Sequence, residues 1–321
     1  MWLLWPLSMF YLGLWLVHRR TRPRAKALPV PVLVVGNHVV GGAGKTPTVI
    51  AIVQALQRAG HRPGVISRGH GRSGQGLHAV QVADSVRIAG DEPLLMRRRC
   101  AVPVWVGQRR ADAGRALCAA HPEVDVLVAD DGLQHAALVR SAELVVFDER
   151  GAGNGLLLPA GPLREPLPQT VPGWRRVLYT AGVSSTRLPG ALALRSIPSA
   201  MPLAAWRAGD ATAAVPLSAL AGRPLVAVAG IAAPNKFFAM LTAAGLSIDA
   251  LPLPDHHAYV AGSALPWPEN TPDVVTTEKD AVKLDPQRMG RTCVWVVPLD
   301  LTLPQPLIDE LLALLFPPEL L

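Results

Sequence analysis

The chain has 321 residues, half of them hydrophobic, and a formal net charge of +7. That length and apolar content suffice for two α/β domains with substantial cores and exclude a disordered chain. The 31 prolines and 28 glycines are scattered among apolar runs without any repeat and read as turns and loops, while three distant cysteines without metal-ligand spacing fit a reduced cytosolic compartment.

Met1 to Val17 is almost wholly apolar, contains Trp2, Trp5, Phe10, Tyr11 and Trp15, and is followed by His18, Arg19, Arg20, Arg22, Arg24 and Lys26. Charge that follows the apolar run, with no small-residue cleavage site, does not make a secretory signal. The run is short of the about 20 apolar residues that cross a bilayer, and Pro6 and Gly13 interrupt it. Residues 1–17 therefore read as an interfacial or partly inserted helix, with aromatic rings at headgroup level and basic residues on anionic lipid. The positive-inside rule then holds the following domain on the cytoplasmic face. A hydrophobic helix buried against the core is the competing reading. Basic residues beside an apolar anchor, with no nucleic-acid-binding motif, favour a membrane surface over nucleic acid. No obligatory protein partner is inferred.

The apolar strand Val32-Leu33-Val34-Val35 leads into Gly41-Gly42-Ala43-Gly44-Lys45-Thr46 and then the helical run Val49 to Leu56. A glycine-rich turn at a helix N-terminus offers backbone N–H groups and a favourable dipole to phosphate oxygens. Lys45 then reaches the β/γ-phosphates, the Thr46 hydroxyl suits Mg²⁺, and Pro47 gives up only an N–H that a first turn cannot use. The loop departs from the usual pattern in carrying Val39 where the first glycine is expected.

Strands are predicted at Pro63–Ser67, Val102–Val106, Val124–Ala129 and Glu143–Phe147, with helices at Glu92–Arg99 and Arg109–Ala120. This alternation predicts an α/β fold: a P-loop domain with a mainly parallel sheet over residues 18–180, its ligands beyond the carboxyl ends of the strands. An Ala/Pro/Ser/Arg-rich stretch of weak periodicity, 181–221, reads as a connection. A second, smaller α/β domain, 222–321, has strands at Leu225–Ala229, Leu246–Leu251, Asp273–Thr276 and Cys293–Val297, and helices at Asn235–Ala244 and Pro306–Leu315. At the end of the strand 126–129, Asp130-Asp131 supplies the carboxylate a nucleotide site needs for Mg²⁺. Asp130 is assigned to the metal or its water shell and Asp131 to a neighbouring role, with the reverse order open.

Further blocks follow in order, several of them without generic structural meaning: Ser67-Arg68-Gly69, Gly90-Asp91-Glu92-Pro93, Asp130-Asp131-Gly132-Leu133-Gln134-His135, Pro159 to Pro166, Pro254-Asp255-His256-His257 and Thr277-Glu278-Lys279-Asp280-Ala281. With Val35-Gly36-Asn37 and the loop Gly41 to Pro47, their order over nearly the whole chain resembles the tetraacyldisaccharide 4'-kinase family, whose own loop also lacks the first glycine. The resemblance implies transfer of the ATP γ-phosphoryl group to the 4'-hydroxyl of a tetraacylated glucosamine disaccharide 1-phosphate, in lipid A assembly at the inner face of the bacterial inner membrane. It implies Asp91 as the proton acceptor, with His256 paired to it, although the adjacent His257 can exchange roles. Arg164 would stabilise the transferring phosphoryl group or bind a substrate phosphate, Glu165 would orient it or the metal, and His135 would sit nearby. Each motif has a plainer reading: Asp91 as a helix cap, His256-His257 as a solvated pair, Arg164-Glu165 as a surface ion pair, and Thr277 to Lys283 as a capped helix without a chemical step. A membrane-targeted P-loop NTPase acting as a nucleotide switch is the alternative function, and a soluble kinase or ligase with a packing helix is a third.

Overall fold

The computed structural model describes residues 4–21, 27–135, 137–260 and 262–317. Trp2, Arg22, Arg24 and Lys26, named above for the N-terminal anchor, lie outside these residues.

Helix α1, Trp5–Arg20, carries Pro6 in its first turn, where a missing N–H costs nothing. Ser8, Tyr11, Leu12 and Trp15 are its least exposed side chains, at the three- and four-residue spacing of one helical stripe. Trp5, Leu7, Met9, Phe10, Leu14 and Val17 are exposed, Phe10 to 67%. The helix is thus seated on the protein by one stripe and is not the buried packing helix of the competing reading. No described helix is long and apolar enough to cross a membrane.

The strands β1 Val32–Gly36, β2 Pro63–Ser67, β3 His78–Ala79, β4 Val104–Val106, β5 Val126–Asp130, β6 Ala142–Phe147, β7 Arg175–Tyr179 and β8 Ala191–Leu192 form one sheet in the order β3-β4-β2-β5-β1-β6-β7-β8. Its pairings are parallel except that of β3 with β4. The interspersed helices are α2 Lys45–Arg58, α3 Val86–Ala89, α4 Asp91–Cys100 and α5 Arg110–Ala120. Side chains alternate across a strand, so β1 sends Leu33 and Val35 to the core under α2 and α4, and Val32 and Val34 to the core under α5. With both faces covered, β1, β5 and β6 are buried throughout, which is why they read as continuous apolar runs.

The second unit contains β9 Leu194–Ser196, β10 Ser199–Pro202, β11 Val215–Pro216, β12 Leu225–Ala229, β13 Ile248–Pro252, β14 Asp273–Thr277, β15 Cys293–Val297 and β16 Asp300–Thr302, with helices α6 Leu203–Ala208, α7 Pro234–Ala243, α8 Glu278–Ala281 and α9 Gln305–Leu315. Six of these strands form a sheet in the order β11-β10-β15-β14-β12-β13, and β9 pairs with β16 as a separate antiparallel ribbon.

Two expectations need correction. The stretch 181–221 is not a plain connection: β8 extends the first sheet, while β10 and β11 pair at the edge of the second. These strands are two to four residues long, too short to display a period in sequence. The terminal helix α9 also returns to the first unit, its Leu311 and Leu315 meeting Leu33, Ile52 and Leu56.

The two units are joined along α4. At its C-terminal end the Arg99 guanidinium donates to Glu278 at 2.7 Å and to Asp300 at 2.6 Å, and Trp206 Nε1 donates to the same Glu278 at 3.0 Å. Glu278 is 5% exposed, so removing Arg99 would strand a buried carboxylate. Arg99→Met is expected to cost about 3 kcal/mol, as breaking buried pairs does. Urea unfolding checks this, and a change below about 1 kcal/mol would contradict the buried-pair account.

Candidate active site

Parallel pairing of β1 with β5 sets Asp130 opposite Val35, two residues before the phosphate loop begins at Asn37. Ile66 of β2 lies opposite Ala129, so Ser67 comes beside Asp130 and its hydroxyl donates to Oδ2 at 3.1 Å. The loop closes on Gly44, which caps α2 at φ 82°, a left-handed backbone that glycine adopts without steric cost. Lys45 then opens the helix, with Nζ 3.2 Å from Asn37 Oδ1 and 3.5 Å from Asp131 Oδ1. Thr46 lies on the opposite flank of the loop, beside Ile50 and Lys236.

The Asp130 carboxyl is 2% exposed and, among the described residues, its Oδ1 has no hydrogen-bond partner. Burial, reinforced by the like charges of Glu92 and Asp131, pushes it well above the ordinary carboxylate range. Asp131, at φ 45°, behaves oppositely. Burial would raise it, but the charges of Lys45, Arg164 and Arg110 outweigh burial and hold it low. Arg164 Nη1 lies 3.2 Å from Asp131 Oδ1, and Arg110 donates to the Asp131 carbonyl at 2.7 Å. Among the described residues no group of three His, Cys, Asp or Glu side chains gathers as a metal cage. Magnesium in nucleotide sites takes one or two protein oxygens and otherwise phosphate and water, so a single buried carboxylate oxygen suffices as the protein donor.

Across the cleft, Gly90 at φ 89° turns the chain so that Asp91 opens α4. His256, from the loop after β13 and itself at φ 57°, approaches with Nδ1 2.8 Å from Asp91 Oδ2. Burial would raise the Asp91 carboxyl, but the His256 hydrogen bond and the Lys279 charge outweigh it and lower it. The same hydrogen bond raises the His256 imidazole, against burial and Lys279. His257 turns away, its ring edge-on to Tyr259 at 4.9 Å. Of the two adjacent histidines, His256 is therefore the one that meets Asp91.

A cleft of about 730 Å³ is lined by Gly41, Gly42, Lys45, Asp130, Asp131, Arg164 and His256 among others, so that of the carboxylate–imidazole pair His256 forms part of its wall and buried Asp91 does not. Tyr11 of α1 reaches the same cleft and donates its hydroxyl to the Arg164 carbonyl at 2.7 Å. His135 also lines it, and burial together with Arg110 and Arg140 lowers its imidazole to about 4, so it is neutral. Glu165, expected to orient Arg164 or the metal, is turned instead toward Gln134 Nε2 at 2.8 Å and His38 Nδ1 at 3.2 Å. On the other side of Gly42–Thr46 lies a second cavity of about 220 Å³ between the two units, with Ile50, Leu95, Ile231, Phe237 and Met240 in its wall.

Asn37, Ser67, Arg110 and Lys279 also belong to this site, and sequence reasoning gave none of them a role. Asn37 and Ser67 follow buried strands at their carboxyl ends, where ligands bind, which is a usable signal. Lys279 sits in one of the ordered blocks, read there as a capped helix, and Arg110 leaves no signal because its helix start resembles any other.

A phosphate loop and a buried acidic strand end, opposed across one cleft by a carboxylate–imidazole pair, define a P-loop phosphotransferase. The family model described as tetraacyldisaccharide-1-P 4'-kinase matches residues 1–315, and the chain belongs to that family. The tetraacyldisaccharide 4'-kinase of Leptothrix cholodnii is 54% identical over 297 residues, covering 91% of this chain and 84% of that protein. That of Methylibium petroleiphilum is 53% identical over 294 residues, covering 90% and 81%. Among solved structures, LpxK from Aquifex aeolicus, an "apo" form in complex with ATP, superposes with a TM-score of 0.77 at 26% identity over 98% of both chains. The chain is thus an ATP-dependent kinase, and a nucleotide switch is the less supported reading.

The Asp91–His256 pair links the two units in a pH-dependent way. His256 is raised in the folded state, so its contribution is fully present below the ordinary histidine value and is lost as pH rises through the raised one. Asp91 is lowered, so its contribution is present above the ordinary aspartate value and is lost as pH falls through the depressed one. His256→Gln should therefore destabilise more at about pH 6 than at about pH 9, by no more than about 1 kcal/mol for so exposed a ring. Urea titrations of both proteins at the two pH values check the sign, and a larger effect at the alkaline value contradicts it.

Proposed function

We propose that Asp91 is the proton acceptor in the transfer of the ATP γ-phosphoryl group to the 4'-hydroxyl of a tetraacylated glucosamine disaccharide 1-phosphate. The carrying observation is the Asp91–His256 contact of 2.8 Å, which joins the two units at the cleft that also holds Lys45. A sugar hydroxyl is a weak nucleophile, so the reaction needs in-line positioning, neutralised phosphate charge and somewhere for the proton to go. Asp91 takes the hydroxyl proton as the 4'-oxygen bonds to the γ-phosphorus. The electron pair of the breaking bond passes to the β-phosphate oxygen, and ADP leaves.

Lys45 and the amides of Gly42, Ala43 and Gly44 bear the phosphate charge at the N-terminus of α2, where the helix dipole adds to theirs. Arg164 is held by Asp131 until a phosphoryl group competes for it. Asp130 would hold Mg²⁺, its buried Oδ1, unpartnered among the described residues, being the feature that fits a cation, whereas the Thr46 hydroxyl, expected to share that ion, faces the cavity on the other flank of the loop. Bound there, Mg²⁺ supplies charge neutralisation at the phosphate oxygens. The apolar cavity beside Thr46 suits a nucleobase stacked between the two units.

We further infer a peripheral seat on the cytoplasmic face of the bacterial inner membrane, which brings the site to a lipid acceptor. The exposed apolar surface of α1 supports it, as do His18, Arg19 and Arg20 in its last turn. Residues 1–17 are the anchoring segment in this reading, and residues 18–180 are the nucleotide-binding and catalytic region.

Asp91→Asn is expected to lower kcat by about 10²–10⁴-fold while the KM for ATP stays within about twofold. Mass spectrometry of the lipid product and calorimetry with a nonhydrolysable ATP analogue check both halves. Lost ATP binding would move Asp91 into the nucleotide or metal site. For the membrane seat, Trp5→Glu with Phe10→Glu should reduce flotation with anionic vesicles by about tenfold or more at constant fold, because each charge must be dragged from the interface. Undiminished flotation would remove α1 as the anchor.

A further inference from the structure

The segment Thr277–Ala281 carries no step of the phosphoryl transfer itself, yet it delivers a charged group to the dyad. Thr277 caps the single turn α8: its hydroxyl accepts from Asp280 N at 3.2 Å and donates to Asp280 Oδ2 at 2.8 Å. Asp280 is fully buried and accepts from Gly230 N at 2.9 Å, while the Gly230 carbonyl accepts from His256 N at 3.2 Å. The turn that carries Lys279 and the loop that carries His256 are therefore bolted together through Gly230. A Cβ at that glycine would lie 2.8 Å from Asp280 Oδ1.

Lys279 Nζ lies 3.3 Å from His256 Nε2, 3.2 Å from Glu92 Oε1 and 3.6 Å from Asp255 Oδ1. An ammonium has three donors and no acceptor, so it meets a ring nitrogen favourably only where that nitrogen keeps its lone pair. The ring proton then sits on Nδ1, where Asp91 Oδ2 accepts it at 2.8 Å. The opposite tautomer would set two donors against each other at Nε2 and a lone pair against a carboxylate at Nδ1. Asp255 Oδ1, a rival partner for Nε2, is 3.9 Å away and closer to Lys279. The His70 ring, from the loop after β2, lies 5.7 Å from that of His256, and Glu92 of α4 holds Lys279. Lys283, beyond α8, is engaged by Asp280 and the His257 carbonyl.

We propose that Lys279 is a positioning residue for the reaction: it fixes His256 as the Nδ1–H tautomer and moves positive charge from the ring that touches Asp91 to an ammonium beyond it. Asp91 then accepts a neutral hydrogen bond in place of a full ion pair and keeps more of its basicity. The Lys279 charge opposes His256 protonation, against the upward pull of the Asp91 hydrogen bond. The proposal rests on the reading of Asp91 as proton acceptor.

The test uses the full chain with ¹⁵N-labelled histidine, with the His256 signals assigned by comparison with His256→Gln. At about pH 8.5, where an unperturbed imidazole is neutral, wild-type His256 is expected with its proton on Nδ1. In Lys279→Met the imidazolium should persist about one pH unit higher, a shift typical of removing a nearby like charge. The acidic limb of kcat/KM should move up by the same amount, giving about a tenfold deficit that closes on the alkaline side, with the KM for ATP within about twofold. Lys279→Arg, which retains a cationic donor, should restore the profile. A wild-type ring protonated on Nε2 overturns the proposal even if the Met variant fails to fold. So does a deficit equal at every pH, or a raised KM for ATP on an unmoved profile, which would make Lys279 a nucleotide ligand. Full activity in Asp91→Asn would sink the proton-acceptor reading and leave the tautomer measurement standing, so the two failures are separable.

Discussion

Asp91 and His256 belong to different units, and they meet where the second unit is clamped to the first along α4. At the N-terminal end Glu92 receives Lys279; at the C-terminal end Arg99 is shared by Glu278 and Asp300. A third clamp lies beyond β6, where fully buried Asp148 and its neighbour Glu149 engage Lys236 of α7. Buried ion pairs of this kind add little net stability over apolar packing, because desolvation offsets most of the Coulomb attraction. Their value is directional: a mispositioned unit leaves several charges buried without partners, so one relative orientation is strongly preferred.

The same economy of partners explains the unusual phosphate loop. Val39 stands where a glycine is expected, yet it is buried, pairs with Leu163 as an antiparallel bridge, and packs with Ala43. An extended residue with its side chain in a core has no need of glycine's conformational range. The loop is braced from outside instead. Val40 N donates to the Pro162 carbonyl at 2.9 Å, Arg164 N donates to the His38 carbonyl at 2.8 Å, and Arg150 donates to the Gly42 carbonyl at 2.9 Å. Since Arg150 also bonds Asp148, which holds Lys236, the loop and the second unit share one hydrogen-bonded chain.

The central strands and the loop were legible because their chemistry is local. A parallel strand buried on both faces needs an apolar run, and β1, β5 and β6 show one. The edge strands β8, β10 and β11 are defined by pairing alone, with two to four residues each, and left no period to read. The return of α9 to the first sheet was equally hidden, since its leucine stripe specifies an apolar partner but not which one. In the site, the glycine-rich turn pointed to Lys45, the acidic strand end to Asp130 and Asp131, and the ordered blocks to Asp91 and His256. The roles of Lys279 and Arg110 depend on tertiary approach across 23 and 20 residues of chain, which no local pattern encodes.

Helix α1 is tied to the strap between β6 and β7 that also braces the loop. Ser8 Oγ donates to the Leu157 carbonyl at 2.8 Å and accepts from Ala160 N at 3.0 Å, so a single hydroxyl satisfies both an acceptor and a buried donor of the strap. One turn on, Tyr11 holds the carbonyl of Arg164, the residue whose guanidinium shares Asp131 with Lys45 in the cleft. The helix face opposite these bonds is the exposed apolar one. An α1 lying in an interface therefore has its depth and tilt registered on the strap by hydrogen bonds that water cannot readily replace, because Ser8 is buried. In the proposed membrane seat, the Tyr11 hydrogen bond would couple the position of α1 to that of Arg164, which an acceptor whose acyl chains remain in lipid would require.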